Sequence, residues 1–589
     1  MNRKTALSVL LIAILSFASY FNTFKNEFVW DDHVFILDNP DIRSFSNLPL
    51  FFAKDVDGLY RPLRSVYYTF IYSLAGKNEF LYHFSSLFLH TAISILVFFI
   101  IFEIFGKKNI ALLAALIFAA HPIHTERVAN ITGSFDMLGI FFMLLSFYLY
   151  IKFSKSNNKK YFLFSLLSLL IAVFSSEEAV TVPLLIVLYE FCFNREKFNK
   201  EELKNKIIKN YAPYFAIALF YVAIRFFFIG VRGRVEEYLA GNFFLTMLTM
   251  LKAYANYIYL LIVPVNLTLF HDIKAVTTLF DFKVLASALI LIAIFFFTIR
   301  HYKNKVLFFS VFWFFITLIP MSNMLPLQVF MAERYLYAPS IAFSLLASYL
   351  LIAIFNLNFK NVKVNGIVRY SVALFVVLLL GFYIFSTINR NKDWKDNMTL
   401  WSKTIATNPY NSRAHDNLGF AYELEGNEIK ALEEFELAVK LQDDNFRAWG
   451  NLGAAYGRLG RYNESIAALK KSIKIRKYHK TYDKLGLVYA ELGIEDKAIE
   501  SFKEAIKINP RYAKAHNDLG TVYGRIGEFE KALQEFNEAI RIDKDYADAH
   551  YNLGILLEFL GDKEDAMKEF NIAAALEPEN ELYRKRLIK

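Results

Sequence analysis

Apolar residues run in long blocks through the first two thirds of the chain and give out near Phe385. A helix that crosses a bilayer needs roughly 20 predominantly apolar residues. The blocks that meet or approach this are 5–22, 82–105, 109–121, 133–153, 161–175, 178–193, 207–229, 283–300, 305–320, 333–355 and 366–389, and they predict about 11 spans. The first block follows Asn2-Arg3-Lys4 and ends on small residues, as a cleaved signal would. Because further blocks follow, it reads as the first of a set of uncleaved helices. The stretch 242–264 is different. Lys252, Asn256 and several tyrosines interrupt it, so it reads as interfacial or re-entrant.

After residue 412 the pattern changes to a repeat. "NLGFAY", "NLGAAY", "KLGLVY", "DLGTVY" and "NLGILL" place a glycine at 419, 453, 486, 520 and 554, in steps of 34, 33, 34 and 34. Each is followed by an amphipathic segment, such as "KALEEFELAV" or "KALQEFNEAI". This is the tetratricopeptide (TPR) period, two helices per unit, which stacks into an α-solenoid with a concave binding surface. The fold class expected is therefore all-α. A polytopic membrane domain occupies 1–390, a junction with a half-repeat helix 391–411, five repeats 412–578 and a cap 579–589.

Composition and charge agree with this division. Of the chain, 56% is hydrophobic, and mean hydropathy is +0.31, too apolar for an ordinary soluble protein. From Asn391 onward there are 31 basic and 34 acidic residues, a net −3; subtraction from the totals of 66 and 56 leaves 35 and 22, a net +13, for the first 390. A single cysteine, Cys192, excludes an intrachain disulfide and a thiolate metal cluster. Nothing points to nucleic acid, and the basic run from Lys470 to Lys480 reads as a solvated helix face. The positive-inside rule puts Arg3-Lys4, Lys107-Lys108, Lys152–Lys160, Arg195–Lys209, Arg300–Lys305 and the group Lys360, Lys363 and Arg369 in the cytoplasm. With 242–264 not spanning, the N-terminus is cytoplasmic and the TPR domain extracytoplasmic. The outward loops are 22–81, 121–132, 175–178, 230–282 and 321–333.

Those outward loops hold the unusual polar residues. They are Asp31, Asp32 and His33 in "FVWDDHVFIL", Tyr60 and Arg61 in "YRPL", and His121, His124, Glu126 and Arg127 in "HPIHTER". Asp136 follows, then Glu177 and Glu178 in "SSEE", and Glu333 and Arg334 in "AERYLY". Ionisable groups at membrane depth are costly and mark function. Arginines supply planar, permanently charged donors for phosphate oxygens, so Arg61, Arg127 and Arg334 are the candidate phosphate ligands. A carboxylate can take the proton of an attacking hydroxyl, so Asp31 and Asp32 are the candidate bases. His33, Tyr60, His121, His124, Glu126, Asp136, Glu177, Glu178 and Glu333 would support the site. His121 and His124, with Glu126 nearby, have the spacing of metal ligands, but Pro122 between them favours a hydrogen-bonded loop anchor. The residues single out no particular cofactor, and a divalent metal stays open.

The order of these stretches, "FVWDDHVFILDNPDI", "YRPLRSVYYTFIYSLAG", "ALLAALIFAAHPIHTERVANITGSFDML", "SSEEAVTVPLLIVLYE", "AERYLYAPS" and "WKDNMTLWSKTIATNPYNSRAHDNLG", resembles the transmembrane-and-TPR O-mannosyltransferases of the GT-C glycosyltransferase superfamily. The resemblance implies a multi-pass enzyme that moves mannose or another hexose from a polyprenyl-phosphate donor to protein Ser/Thr outside the cytoplasm. The repeats would engage the protein or peptide acceptor. The location implied is a bacterial inner membrane or the endoplasmic reticulum. It also implies that an acid of the first outer loop is the base, with a slight preference for Asp32. Ser134 and Ser176 stand where the family carries an arginine and a lysine, and Arg127 or Arg334 is the expected replacement. The competing readings are transfer to a glycolipid or envelope polysaccharide, a membrane-anchored TPR scaffold without catalysis, and a transporter.

Overall fold

The computed structural model describes residues 3–55, 59–194, 207–228, 238, 241–271, 273–278, 280–327, 329–357 and 362–587. Most of the basic segment Arg195–Lys209, Lys360 and part of the loop 230–282 lie outside the described residues. The chain divides into two compact units. One comprises the residues up to Asp38 and Ile42–Leu400, the other Asn39–Asp41 and the chain from Trp401. Both are helical among the described residues.

In the first unit every block predicted as a span is helical. Arg3–Lys25, Glu79–Phe105, Ile131–Ser156, Ile207–Phe227, Phe243–Ile262, Phe282–Arg300 and Val364–Trp394 are long and apolar enough to cross a membrane by length and composition. Lys108–Ala120, Lys305–Met321 and Ser340–Phe355 are shorter apolar helices, and Lys159–Val173 and Val182–Phe193 fill two further predicted blocks. Large apolar side chains such as Leu289, Phe296, Ile367 and Leu378 remain exposed on these helices, as expected of surfaces solvated by lipid.

Phe243–Ile262 covers the stretch read as interfacial or re-entrant. It is one continuous helix of 20 residues and qualifies as a span by length and composition. Lys252 Nζ reaches off the helix to the Lys274 carbonyl at 2.8 Å, with Asp281 3.8 Å away.

Small and polar groups hold the helices together, since lipid removes most of the hydrophobic drive between them. Ser146 Oγ donates to the Ser165 carbonyl at 2.8 Å, Ser165 Oγ returns a bond to the Ser146 carbonyl at 2.6 Å, and Tyr214 adds a bond to Ser165 Oγ at 2.8 Å. Cys192 is buried packing.

The second unit contains the five predicted helix pairs, Ser412–Leu424 with Glu428–Leu441 through Ala547–Leu560 with Lys563–Leu576, followed by Glu581–Leu587. Asparagine starts several of these helices. The Asn411 and Asn445 side chains accept from the backbone N–H groups of Ala414 and Ala448 at 2.9 and 3.2 Å, satisfying donors the helix cannot. The periodic glycine has a packing reason. A Cβ at Gly419, Gly486, Gly520 or Gly554 would meet Phe435, Phe502, Phe536 or Phe570 within 2.8 Å, so each aromatic ring lies against the bare backbone of its partner helix.

A histidine–glutamate bridge recurs at one place in three pairs. His415, His516 and His550 bond Glu434, Glu535 and Glu569 at 2.6, 2.6 and 2.5 Å. Burial opposes the charged form of His415 and His516, but their glutamates outweigh it and raise both pKa values. Histidines with a raised folded pKa add stability that is complete below the unfolded value near 6.5 and lost as pH rises through the folded value. Hydrogen exchange on the full chain, corrected for intrinsic rates, should show protection of Ser412–Leu441 and Ala513–Ile542 falling several-fold between about pH 6 and about pH 8. The double variant His415→Gln/His516→Gln should lose this dependence.

Candidate active site

The site lies in the first unit, where regular helix gives way to short irregular turns. Glu177–Thr181, Ile319–Met321 and Glu333–Leu336 are 3-10 turns, and His33–Leu37 and Ile224–Phe228 are π turns. Non-α backbone at membrane depth is tolerated where protein buries it or it lines a cavity.

Arg61 immediately precedes the helix Pro62–Ala75, whose first-turn proline fits because its nitrogen would have no helical partner. Arg64 follows one turn later on the same side. Ser176 caps the Glu177 turn by accepting from the Glu178 N–H at 3.4 Å. It sits against Gly139, where a Cβ would collide with the Ser176 Cβ and come within 2.9 Å of its nitrogen. Gly139 thus lets the helix Asp136–Ser156 approach the turn that carries both glutamates.

These elements bring together an alternating chain of charges. Arg225 Nη1 lies 2.7 Å from Glu177 Oε1. Arg61 bonds Glu177 through Nε at 2.7 Å and Asp136 through Nη1. Arg127 Nη1 bonds Asp136 Oδ2 at 2.5 Å, its Nη2 bonds Glu178, and its Nε donates to the Arg334 carbonyl at 3.0 Å. Arg334 bonds Glu126 through Nη1, and its backbone N–H donates to the same carboxylate at 2.8 Å. Burial works against the charge of Arg61, but Asp136 and Glu177 outweigh it and hold the guanidinium charged. Burial likewise opposes the charge of Glu177, and Arg61 and Arg225 overcome it to lower its pKa.

Beside this chain is a cavity of about 300 Å³. Its lining combines the charged side chains Asp31, Arg61, Arg64, Arg127, Asp136, Glu177, Arg225 and Arg334 with apolar ones that include Val222, Phe226, Pro320, Met321 and Leu325–Leu327.

The two acids of the first loop separate. Trp30 adopts the left-handed conformation, φ +53°, which costs a bulky residue roughly 1–2 kcal/mol. Its N–H is held by the Asn397 side chain at 2.9 Å. Beyond this bend Asp31 is half-buried and lines the cavity. Asp32 is fully buried and does not line it. Its carboxylate accepts from the backbone N–H groups of Val29 at 3.0 Å and Thr132 at 2.8 Å. Burial raises the Asp32 pKa to about 7 against these two bonds. Its placement does not favour the preference for Asp32 as the base.

Of the remaining candidates, His33, Tyr60, His121, His124, Glu126, Glu178 and Glu333 stand behind the lining. Tyr60 donates to the Phe52 carbonyl at 3.2 Å, and its own carbonyl accepts from Tyr221 at 3.1 Å, fixing the backbone ahead of Arg61. His33 lies 3.2 Å from Asn397 Nδ2. His121 bonds the Leu261 carbonyl at 3.0 Å and His124 the Ser340 hydroxyl at 2.8 Å. Glu333 accepts from the Thr268 N–H and lies 3.6 Å from Arg390. No three metal-ligating side chains gather among the described residues.

Two charged residues of the lining were missed by the reading of the sequence. Arg64 was signalled by its spacing of three from Arg61, and Arg225 by being a charge inside an apolar block.

Residues 62–226, which carry most of these charged side chains, match the dolichyl-phosphate-mannose-protein mannosyltransferase family. Residues 412–445, 446–479 and 547–580 match the tetratricopeptide repeat, and 486–527 and 525–561 a related TPR repeat family. Protein O-mannosyl-transferase F38B6.6 of Caenorhabditis elegans is 27% identical over 74% of this chain and 62% of its own length. Protein O-mannosyl-transferase TMTC3 of Mus musculus is 25% identical over 78% and 54%. In the order of its two parts the chain is similar to these transmembrane-and-TPR O-mannosyl-transferases. It spans a little over half the length of these relatives. Among solved structures, a thermophilic TPR protein of Thermus thermophilus is similar with a TM-score of 0.29 and 25% identity, over 30% of this chain and 97% of that one.

The charge chain makes Arg127 important for stability. Arg127→Leu leaves Asp136 and Glu178 buried without their shared partner and should cost about 3–5 kcal/mol. Thermal melting of the purified protein in detergent should record this as a fall of several degrees, with Arg127→Lys intermediate.

Proposed function

We propose that this protein is a membrane glycosyltransferase that moves a hexose, mannose by analogy with the names of its relatives, from a polyprenyl-phosphate donor to a serine or threonine hydroxyl of a protein acceptor. The observation that carries the reading is the mixed lining of the cavity, guanidinium groups and carboxylates together with apolar side chains. A lipid-linked phosphate needs both. Its prenyl chain is solvated by the apolar side chains, and its phosphate by charge-assisted bonds.

In the proposed reaction Asp31 is the base. It lines the cavity, while both oxygens of Asp32 are taken up by backbone donors. The acceptor oxygen attacks the anomeric carbon of the donor sugar, and its proton passes to the Asp31 carboxylate. The bond from the anomeric carbon to the phosphate oxygen breaks, and the lipid phosphate leaves with the electron pair. Asp32 positions the bend that presents Asp31.

The cavity opens on the extracytoplasmic side in this reading, because the positive-inside pattern, with Phe243–Ile262 lying along the interface and not spanning, places the loops that build it outward. The repeats would capture acceptor protein on the same side. The donor lipid would be undecaprenyl phosphate in a bacterium and dolichyl phosphate in a eukaryote.

Asp31→Asn should lower sugar transfer to a Ser/Thr peptide by about 100-fold or more with an unchanged melting temperature. Asp32→Asn sets an amide N–H₂ against a backbone N–H and should cost about 1–3 kcal/mol of stability. Transfer assays with radiolabelled polyprenyl-phosphate mannose, paired with melting curves, check both. Sugar appearing only on glycolipid would overturn the protein-acceptor assignment.

A further inference from the structure

The guanidinium groups at the cavity are not equivalent. Arg61 and Arg127 have all three nitrogens engaged, Arg61 by Asp136 and Glu177 and Arg127 by Asp136, Glu178 and the Arg334 carbonyl. Arg334 and Arg225 each have one terminal nitrogen on a carboxylate. Arg64 has none. Its side chain donates no hydrogen bond among the described residues, its nearest carboxylate oxygen, Asp136 Oδ1, is 3.8 Å away, and its Nε is buried without a partner. Yet the residue is only 5% exposed and lines the cavity. It is held there by the Phe35 ring, 4.6 Å from the guanidinium carbon, with the Tyr68 ring at 5.7 Å.

A buried guanidinium with its donors unused is costly unless a ligand completes it. The pairings make the same point. Arg61, Arg127, Arg225 and Arg334 each hydrogen-bond one or more of Glu126, Asp136, Glu177 and Glu178, and Arg64 hydrogen-bonds none of them. Aromatic stacking leaves the edge of the guanidinium open, and that edge is what binds two phosphate oxygens at once.

We propose that Arg64 is the anion anchor of the site and takes the phosphate of a polyprenyl-phosphate lipid, while Arg61 and Arg127 act as scaffold. The assignment rests on the proposed function and deepens it, because it moves phosphate recognition away from the arginines that the sequence singles out. It also supplies positive charge where Ser134 and Ser176 do not.

The test is binding of farnesyl phosphate to the full-length protein in detergent by isothermal titration calorimetry, with melting curves for every variant. Arg64→Gln should weaken binding by about tenfold or more, Arg64→Lys by less because it keeps charge but not the fork, and Lys159→Gln on an exposed helix end not at all. Wild-type affinity in a folded Arg64→Gln protein would overturn the assignment and leave the proposed function standing. Should Arg64→Gln not fold, wild-type affinity in Arg64→Lys would overturn it equally. Failure of the wild type to bind farnesyl phosphate would sink the donor reading as well. Inorganic phosphate that displaces farnesyl phosphate at equal concentration would assign the site to a free anion instead of a lipid.

Discussion

The arrangement depends on the exchange of hydrogen bonds between buried guanidinium groups and buried carboxylates. Neither kind of charge can be taken into a membrane protein alone, since the loss of hydration costs several kcal/mol per ion. Together they form a run from Arg225 through Glu177, Arg61, Asp136 and Arg127 to Glu178. Its members come from the first outer loop, the turns after two apolar helices, and the end of a third. Every member has a partner on a different segment, so the run ties the loops into one body.

This scaffold explains why adjacent acids can differ in role. Asp32 is used up in building: its carboxylate spans from Val29 to Thr132 and fastens the first loop to the segment that carries Asp136. Asp31 is left over, turned by the left-handed Trp30 toward the cavity. The same division runs through the arginines. A group that holds the walls has no donors left for a ligand, and one that holds nothing keeps them. Reactivity in this site is therefore a matter of which charges the scaffold does not consume.

How far each part could be read from the chain follows from the range of the interactions. The repeat array was plain, because each contact recurs at a fixed short spacing: Gly419 against Phe435 returns as Gly520 against Phe536. The apolar blocks were plain for the same reason, with Phe243–Ile262 ambiguous because it holds Lys252, whose ammonium is taken up by the Lys274 carbonyl. The candidate residues were visible as costly charges, but their roles were not. His121 and His124, which Pro122 had marked as loop anchors, are the exception and bond the Leu261 carbonyl and the Ser340 hydroxyl. Which of two adjacent aspartates faces the cavity depends on one backbone angle at Trp30, and no local pattern announces it.

The irregular turns complete the account. A continuous α-helix satisfies its own backbone and can present side chains only along its faces, so it cannot aim several charged groups at one point. The 3-10 and π turns at His33–Leu37, Glu177–Thr181, Ile224–Phe228 and Glu333–Leu336 break that regularity next to the cavity. They leave backbone groups to be satisfied by the site itself, as when the Arg334 carbonyl accepts from Arg127 and the Arg334 N–H donates to Glu126. The charge network and the broken helices therefore require each other: the breaks converge the side chains, and the side chains supply the hydrogen bonds that the breaks forfeit.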